Sequence, residues 1–312
     1  MLRRCSEFWY NKTILMKLLY LFPAFVFFTA LLTAADPMND IRHGSFAPKA
    51  PEPLELNILD WNIDRGTELD RIAKGIESQQ PNIAILQEVD LDARRSGFKD
   101  IARELAERLH LNYAFATEFQ ELGQSASERP AYHGQATLSS LPIRESRMLR
   151  FKAQSTFWKP RAYLPKWALF QRRLGGRIAL VSDLDYKGQT LVVYNLHLES
   201  RSAGEIQYQQ LQEVLKDTER YPKDTPIVIA GDLNTKYAHS TKEVMKLMRD
   251  SGYESAFGDR QERTHWLVGD LDWIFTRGPI RISDGIVHRD LHGSDHFAVS
   301  ARITPAHQVA RQ

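Results

Sequence analysis

The chain of 312 residues contains one cysteine, Cys5, in its first 35 residues. That excludes an internal disulfide framework and a thiolate-rich metal site. No Asn-X-Ser/Thr sequon follows residue 35, so nothing marks glycosylation there. Internal repeats and low-complexity tracts are absent, which excludes solenoids and arrays. A strong excess of either charge is also absent: 41 Lys and Arg face 39 Asp and Glu. The first 35 residues hold four of those bases (Arg3, Arg4, Lys12, Lys17) and one acid (Glu7), so the remainder carries −1. Overall charge therefore does not point to nucleic acid.

What is present is a composition that folds, 43% hydrophobic and 26% charged. From Leu18 to Ala35 the sequence is "LLYLFPAFVFFTALLTAA", without charge, after basic residues and ending in small ones. Thr33 and Ala35 suit cleavage before Asp36, so residues 1–35 read as an export signal of a secreted or periplasmic protein, with Met16 as a second possible start. An uncleaved membrane anchor over 18–35 is the competing reading. Residues 36–53, with Pro37, Pro48, Pro51 and Pro53, read as a linker. Residues 54–304 read as one domain and 305–312 as a tail.

Strands and helices alternate irregularly along 54–304. "LELNILDWNI" and "NIAILQEV" are strand-like, separated by "RIAKGIESQQ", a helix with a capping box expected at Thr67–Asp70. Phe98, Ile101, Ala102, Leu105 and Leu109 mark one face of a second helix. Shorter strands follow at "NYAFATEF", "QATLSS" and "SRMLRF". "RIALVSDLDY" and "TLVVYNLHLE" flank "KGQ", a hairpin signal. Ser202 with Glu205, and Ser240 with Glu243, read as caps of two more helices around the buried-type strand "PIVIAGDL". The end is strand-rich: "LDWIFTR", "IRISDGIVHR" and "FAVSARI". Hairpins and many strands predict an α+β fold rather than a regular parallel array.

Polar residues gather where these apolar strands begin and end. They are Asn62 and Asp64; Gln87, Glu88 and Asp90; Asn195, His197 and Glu199; Asp232 and Asn234; Asp272; and Asp295 with His296. Carboxylates are rarely buried without a partner or a cation. A rim of Asp, Glu and Asn oxygens suits a hard cation such as Mg²⁺ or Mn²⁺. A histidine beside acids can take a proton from water or hold a phosphoryl oxygen. Metal-assisted hydrolysis of a phosphate ester uses all these parts.

In order, "WNI", "LQEV", "NLHLES", "GDLNT", "LDWIF" and "GSDHFAV" resemble the endonuclease/exonuclease/phosphatase superfamily of deoxyribonuclease I-like phosphoesterases, over about residues 54–304. The resemblance implies a four-layer sandwich, two packed β-sheets flanked by helices. It implies Glu88 as main metal carboxylate, with Asn62 and Asp295 beside it and Asp64 as an optional acid. It implies His197 and Asn234 as phosphate contacts and Asp232 as the residue that orients or deprotonates water. His296 would be general base or phosphate stabiliser, with Asp272 fixing its tautomer. Asp90, Asp92 and Glu199 are expected to be solvated or in turns. His133, His239, His265, His288 and His292 are expected on the surface or in structural roles. Arg177 is expected to open an exposed strand, with a substrate phosphate as its alternative partner.

From Lys152 to Arg177 there are seven bases (Lys152, Lys159, Arg161, Lys166, Arg172, Arg173, Arg177) and no acid, interleaved with Phe157, Trp158, Tyr163, Trp167 and Phe170. This segment reads either as a loop whose aromatics fold back onto the sandwich, or as a lip that stacks bases or rests on a lipid surface. The function expected is an exported, divalent-metal-dependent phosphodiesterase acting as a monomer, first a nuclease. The alternatives are a sphingomyelinase or phospholipase C-like enzyme and an inositol-phosphate phosphatase, with a non-catalytic binding module behind them.

Overall fold

Strand β2 (Leu56–Arg65) shows how the domain is layered. Its residues alternate between two cores: Leu56 and Ile58 in one, Leu59, Trp61 and Ile63 in the other. That period of two is the pleat of a strand buried on both faces. These coordinates come from a computed structural model, which describes residues 36–126, 129–157 and 160–306. The expected export segment 1–35, Trp158 and Lys159 of the lip, and residues 307–312 of the tail lie outside the described residues.

Two sheets pack face to face. In the first, β2 stands beside β3 (Ile83–Leu91) and β14 (Ala298–Pro305). Beyond β3 follow β5 (Tyr132–Ser139), β4 (Asn112–Glu121) and the short β1 (Arg42–Gly44); β13 (Ile280–His288) lies beyond β14, and β7 (Arg173–Gly175) pairs with β4. The second sheet runs β11 (Glu254–Ser255), β12 (Asp272–Arg277), β10 (Ile227–Asp232), β9 (Gln189–His197), β8 (Ile178–Tyr186) and β6 (Ile143–Arg150). Helices α1 (Leu69–Gln79) and α2 (Ile101–Leu109) bury Ile72, Ile76, Ile101 and Leu105 against the first sheet. Helices α3 (Glu205–Thr218) and α4 (Ala238–Asp250) bury Leu211, Val214, Val244 and Met248 against the second. The order helices, sheet, sheet, helices is the expected four-layer α+β sandwich. Among the described residues the buried core runs from Leu56 to Ile303, with Met38, Ile41 and Phe46 packed against it.

Most strand pairs are antiparallel, but β2–β3 and β9–β10 are parallel. Parallel neighbours end on the same side, which aligns Asn62 with Gln87 and His197 with Asp232. The β8–β9 hairpin turns through Lys187 and Gly188, both with positive φ (55° and 77°), as a two-residue connection of this hand requires.

Several local expectations are corrected. Helix α1 begins at Leu69 with Glu68 as its N-cap and no side-chain cap, because Asp64, Arg65 and Gly66 leave β2 with positive φ and turn Thr67 back to the Asp64 carbonyl. Helix α4 begins two residues before Ser240, whose hydroxyl accepts from Tyr237 N–H inside the first turn. Ser202 does accept from Ile206 N–H (3.1 Å), two residues ahead of the formal cap Gly204. The expected linker contains β1, which pairs with β4.

Candidate active site

A bulge aims the first acid. β3 pairs in register with β5 up to Leu86 and again from Val89, with Glu88 between at φ 53°. Ala84, Leu86, Val89 and Leu91 all face the helices, so the extra residue leaves both Gln87 and Glu88 turned away from them. Gln87 stays in the core: its amide donates to Asp60 Oδ1 (2.9 Å) and Asn195 Oδ1 (3.0 Å). Asn195 donates onward to the Leu86 and Ala136 carbonyls. Gln87 and Asn195 thus tie the two sheets together rather than contact a substrate. Burial, reinforced by the Asp272 carboxylate, pushes Asp60 well above the usual carboxylate range.

Glu88 reaches the strand-end cleft. Burial works against its charge, but His133, His197, Arg65 and Arg177 outweigh that and hold it well below its usual range. The nearest basic groups stand at 3.5 Å (Arg65) and 3.9 Å (His197), which leaves both oxygens room for an ion.

Asp232 lies at the centre. It follows Gly231, whose φ is +140° and where a Cβ would lie 2.0 Å from the Leu196 carbonyl oxygen, so only glycine fits before this carboxylate. Asp232 Oδ1 accepts from Asn234 N–H (2.9 Å) and Oδ2 from the Asn62 amide (3.2 Å), across the sheets. His197 Nε2 and His296 Nε2 stand 3.6 and 3.8 Å from Oδ2. Asn234, at φ 51°, is held by its amide on the Leu198 carbonyl.

His296 points its Nδ1 at Asp272, 3.0 and 2.9 Å from the two carboxylate oxygens, so Nε2 is the nitrogen facing the cleft. Asp272 is set by the β10–β12 register, directly opposite Asp232. Burial lowers the His296 pKa, but Asp272, then Asp232 and Asp295, overcome it and push it up to about 10. Asn62, Glu88, His197, Asp232, Asn234, Asp272 and His296 therefore lie together at the strand ends. Asp295 is half-exposed at the margin, 3.5 Å from His265, whose ring keeps it below the usual range. Asp64 is partly exposed and ion-paired with Arg65.

Five residues, Asp90, Glu199, His133, His265 and Arg177, depart from the sequence expectations. Asp90 is buried, not solvated: it accepts from Arg95 Nε and Nη2, both at 2.7 Å, and meets His133 Nδ1 at 2.9 Å. The bulge at Glu88 is the reason, since it reverses which face Asp90 occupies. Glu199 is also buried, accepting from Ser155 N–H (3.1 Å) and Arg201 N–H (2.7 Å). His133 and His265 line the cleft. His265 Nδ1 accepts from Leu267 and Val268 N–H (3.0 and 3.1 Å). Its proton therefore sits on Nε2, towards Asp295, and that nitrogen is not offered to a metal. His239, His288 and His292 stay away from the cleft: His239 stacks on Tyr237, His288 meets Ser300, and His292 is exposed.

Sequence reading passed over Glu118. It is fully buried in β4, accepts from Arg177 (3.2 Å) and Gln135 (3.0 Å), and stands 3.5 Å from His197 Nδ1. Burial opposes its charge, while His197 and Arg177 hold its pKa down. The available signal was an acid beside Phe119 in a strand that carries the apolar run Tyr113–Ala116. Arg177, pinned there, opens a buried strand rather than an exposed one.

The cleft measures about 640 Å³ and takes one wall from the lip, through Phe157, Arg161, Phe170, Arg172, Arg173 and Arg177. A hard-oxygen site beneath a cationic wall defines a metal-assisted phosphoesterase. The sequence matches the Endonuclease/Exonuclease/phosphatase family over residues 61–296, and the chain belongs to that family, whose members are divalent-metal-dependent phosphoester hydrolases. A UPF0294 protein of Vibrio vulnificus (strain CMCP6) is 27% identical over 158 residues, spanning 50% of each chain, so about half the length of that curated relative is matched. Among solved structures, an endonuclease/exonuclease/phosphatase from Beutenbergia cavernae DSM 12333 superposes with TM-score 0.61 at 21% identity, over 81% of this chain and 72% of that one. The human Nocturnin catalytic domain with bound sulfate gives 0.59 at 17% identity, over 85% and 97%. These likenesses establish a common fold.

Proposed function

We propose that the protein is an exported, Mg²⁺-dependent phosphodiesterase that cleaves its substrate by in-line attack of an activated water. The observation that carries this reading is the Asp232 carboxylate, with the cleft-facing Nε2 of both His197 and His296 within 3.8 Å of its Oδ2. The donor set fits a hard cation: Glu88, with the Asn62 amide oxygen and Asp295, would hold Mg²⁺, or Mn²⁺ in its place. A bound cation would supply charge stabilisation at a phosphoryl oxygen.

The chain's own residues divide the remaining work. Asp232, held by Asn62 and Asn234, orients the attacking water and accepts its proton. His296, with Nδ1 engaged by Asp272, presents Nε2 to a non-bridging oxygen, and His197 and Asn234 flank it. All these groups come from one chain, which supports a monomer as the active unit.

Nucleic acid and phospholipid are the two substrate classes that the cationic, aromatic mouth admits. Exposed leucines at the mouth favour a phospholipase C-like activity. The test is a panel of plasmid DNA, single-stranded RNA, sphingomyelin vesicles and inositol phosphates, assayed with chelator and then with Mg²⁺, for wild type and His296→Ala. Turnover of one substrate, only with metal and lost by orders of magnitude in the variant, is expected. Equal activity of the variant would overturn the assignment. Amino-terminal sequencing of the protein recovered from expressing cells tests export, with Asp36 as the expected first residue.

A further inference from the structure

The mouth of the cleft carries more exposed apolar surface than its chemistry needs. Tyr163 is 81% exposed, Trp167 67% and Leu169 86%, all in the lip between β6 and β7. Trp266 (56%) and Leu267 (64%) form a second tip, just before β12. Both segments border the cleft, the lip through Phe157 and Phe170, the other through His265 and Val268. Exposed large apolar residues scattered singly are ordinary, whereas five on two segments bordering one cleft mark an interaction surface.

The tips are held in place. In the lip, Gln171 accepts from Arg161 N–H and donates to the Leu164 and Pro165 carbonyls, closing the loop on itself. Trp167 packs on Phe170 at 6.0 Å between ring centroids. In the second tip, His265 Nδ1 anchors Leu267 and Val268, and Trp266 N–H donates to the Asp295 carbonyl. A backbone already held in place loses little further entropy on docking.

Charge and chemistry choose the occupant. The lip holds seven bases and no acid, of which Arg173 and Arg177 pair with Glu121 and Glu118, while residues 36–312 as a whole carry −1. A cationic mouth on an acidic body orients towards an anionic surface. Aromatics serve nucleic acid by stacking on bases, but Leu169 and Leu267 have no π-face to stack. Trp, Tyr and Leu beside Lys and Arg are the composition that settles into the headgroup and acyl boundary of a bilayer.

We infer that the lip and the Trp266–Leu267 tip seat the cleft on an anionic phospholipid bilayer, and that the phosphodiester reaching the site is a lipid headgroup. The substrate half of this rests on the phosphoesterase reading above; the docking half does not.

Residues 36–312, which contain every buried core residue among the described residues, are pelleted in chelator with vesicles of phosphatidylglycerol and phosphatidylcholine (1:1), or of phosphatidylcholine alone. Wild type is expected to pellet with the anionic vesicles at least tenfold more strongly than W167S/L169S/W266S/L267S. K166E is expected to lose most of the preference for anionic over neutral vesicles, and it covers the case in which the fourfold variant misfolds. Separately, Mg²⁺-dependent hydrolysis of the soluble diester bis(4-nitrophenyl) phosphate reports on the phosphoesterase reading, so the two fail independently. Wild type left in the supernatant with both vesicles overturns the docking surface, as does equal pelleting of wild type and both variants. Tighter binding to a single-stranded oligonucleotide than to vesicles, lost in the fourfold variant, would assign the rim to nucleic acid instead.

Discussion

His296 Nδ1 stands 3.0 and 2.9 Å from the two oxygens of Asp272, and the pair is buried between the last strand and β12. A carboxylate in that position decides which ring nitrogen bears the proton and which faces the cleft. Asp272→Asn keeps the shape but removes the carboxylate that holds His296 protonated, so Nε2–H meets the phosphoryl oxygen without the imidazolium charge. The expected loss in kcat is about 10²–10³-fold, the scale of losing one transition-state hydrogen-bond donor. Steady-state kinetics on whichever substrate the panel identifies checks it. A loss confined to KM would mean that His296 only binds.

Glu118 predicts a pH dependence of stability. Its folded pKa is lowered against burial by His197 and Arg177. Its contribution is therefore present above the unfolded value of about 4.3 and is lost as pH falls through the lower folded value. Glu118→Gln should be less stable than wild type at pH 7, by roughly 1–3 kcal/mol for a hydrogen bond to a charged group. That gap should narrow towards pH 3. Urea midpoints at the two pH values measure it. A gap that widens in acid would reverse the sign and refute the ion-pair account.

Much of this site was legible because parallel strands end together. The apolar runs before Asn62, Glu88, His197 and Asp232 identify strands, and their polar ends had to share a rim once the strands were paired. What was hidden depended on backbone irregularity or distant pairing. Asp90 sits on an unexpected face because the bulge at Glu88 shifts the alternation by one residue. His265 enters the cleft through an isolated bridge to His296, which no local pattern encodes. Arg42–Gly44 become a strand only because β4 offers an edge. The missing cap on α1 reflects a tight exit from β2 overriding local propensity.

The metal prediction separates two donor sets. Asp232, Asp272 and His296 cluster closely enough for an ion, as do His265, Asp295 and His296. The tautomer of His265 argues against the second set, and the Asp272–His296 hydrogen bond already occupies the first. Glu88, whose oxygens stand 3.5 Å from Arg65 and 3.9 Å from His197, is the carboxylate proposed to hold the ion. At about 100-fold above its Kd, Mg²⁺ should stabilise the protein by about 2.7 kcal/mol, a rise of roughly 5–10 °C in Tm. Glu88→Gln should abolish that rise. A thermal shift that survives Glu88→Gln and disappears in His265→Ala would place the ion on the other set.

Gly231 allows the steric origin of the "GD" motif to be measured against its conformational origin. Its φ is +140°, and an added Cβ would lie 2.0 Å from the Leu196 oxygen and 2.8 Å from Leu196 C and N, all backbone of the neighbouring strand. Gly188, at φ +77° in the β8–β9 turn, has nothing within 4 Å of the same construction. Alanine at Gly188 therefore bears only the cost of a left-handed backbone, about 1 kcal/mol. Alanine at Gly231 must also push β9 and β10 apart where His197 and Asp232 are paired, at about 3 kcal/mol or more. In thermal melts the two variants should differ by several degrees, and only Gly231→Ala should lose activity beyond its loss of stability. Equal melting temperatures would mean that the strands yield freely, and the close approach would not be what keeps this position glycine.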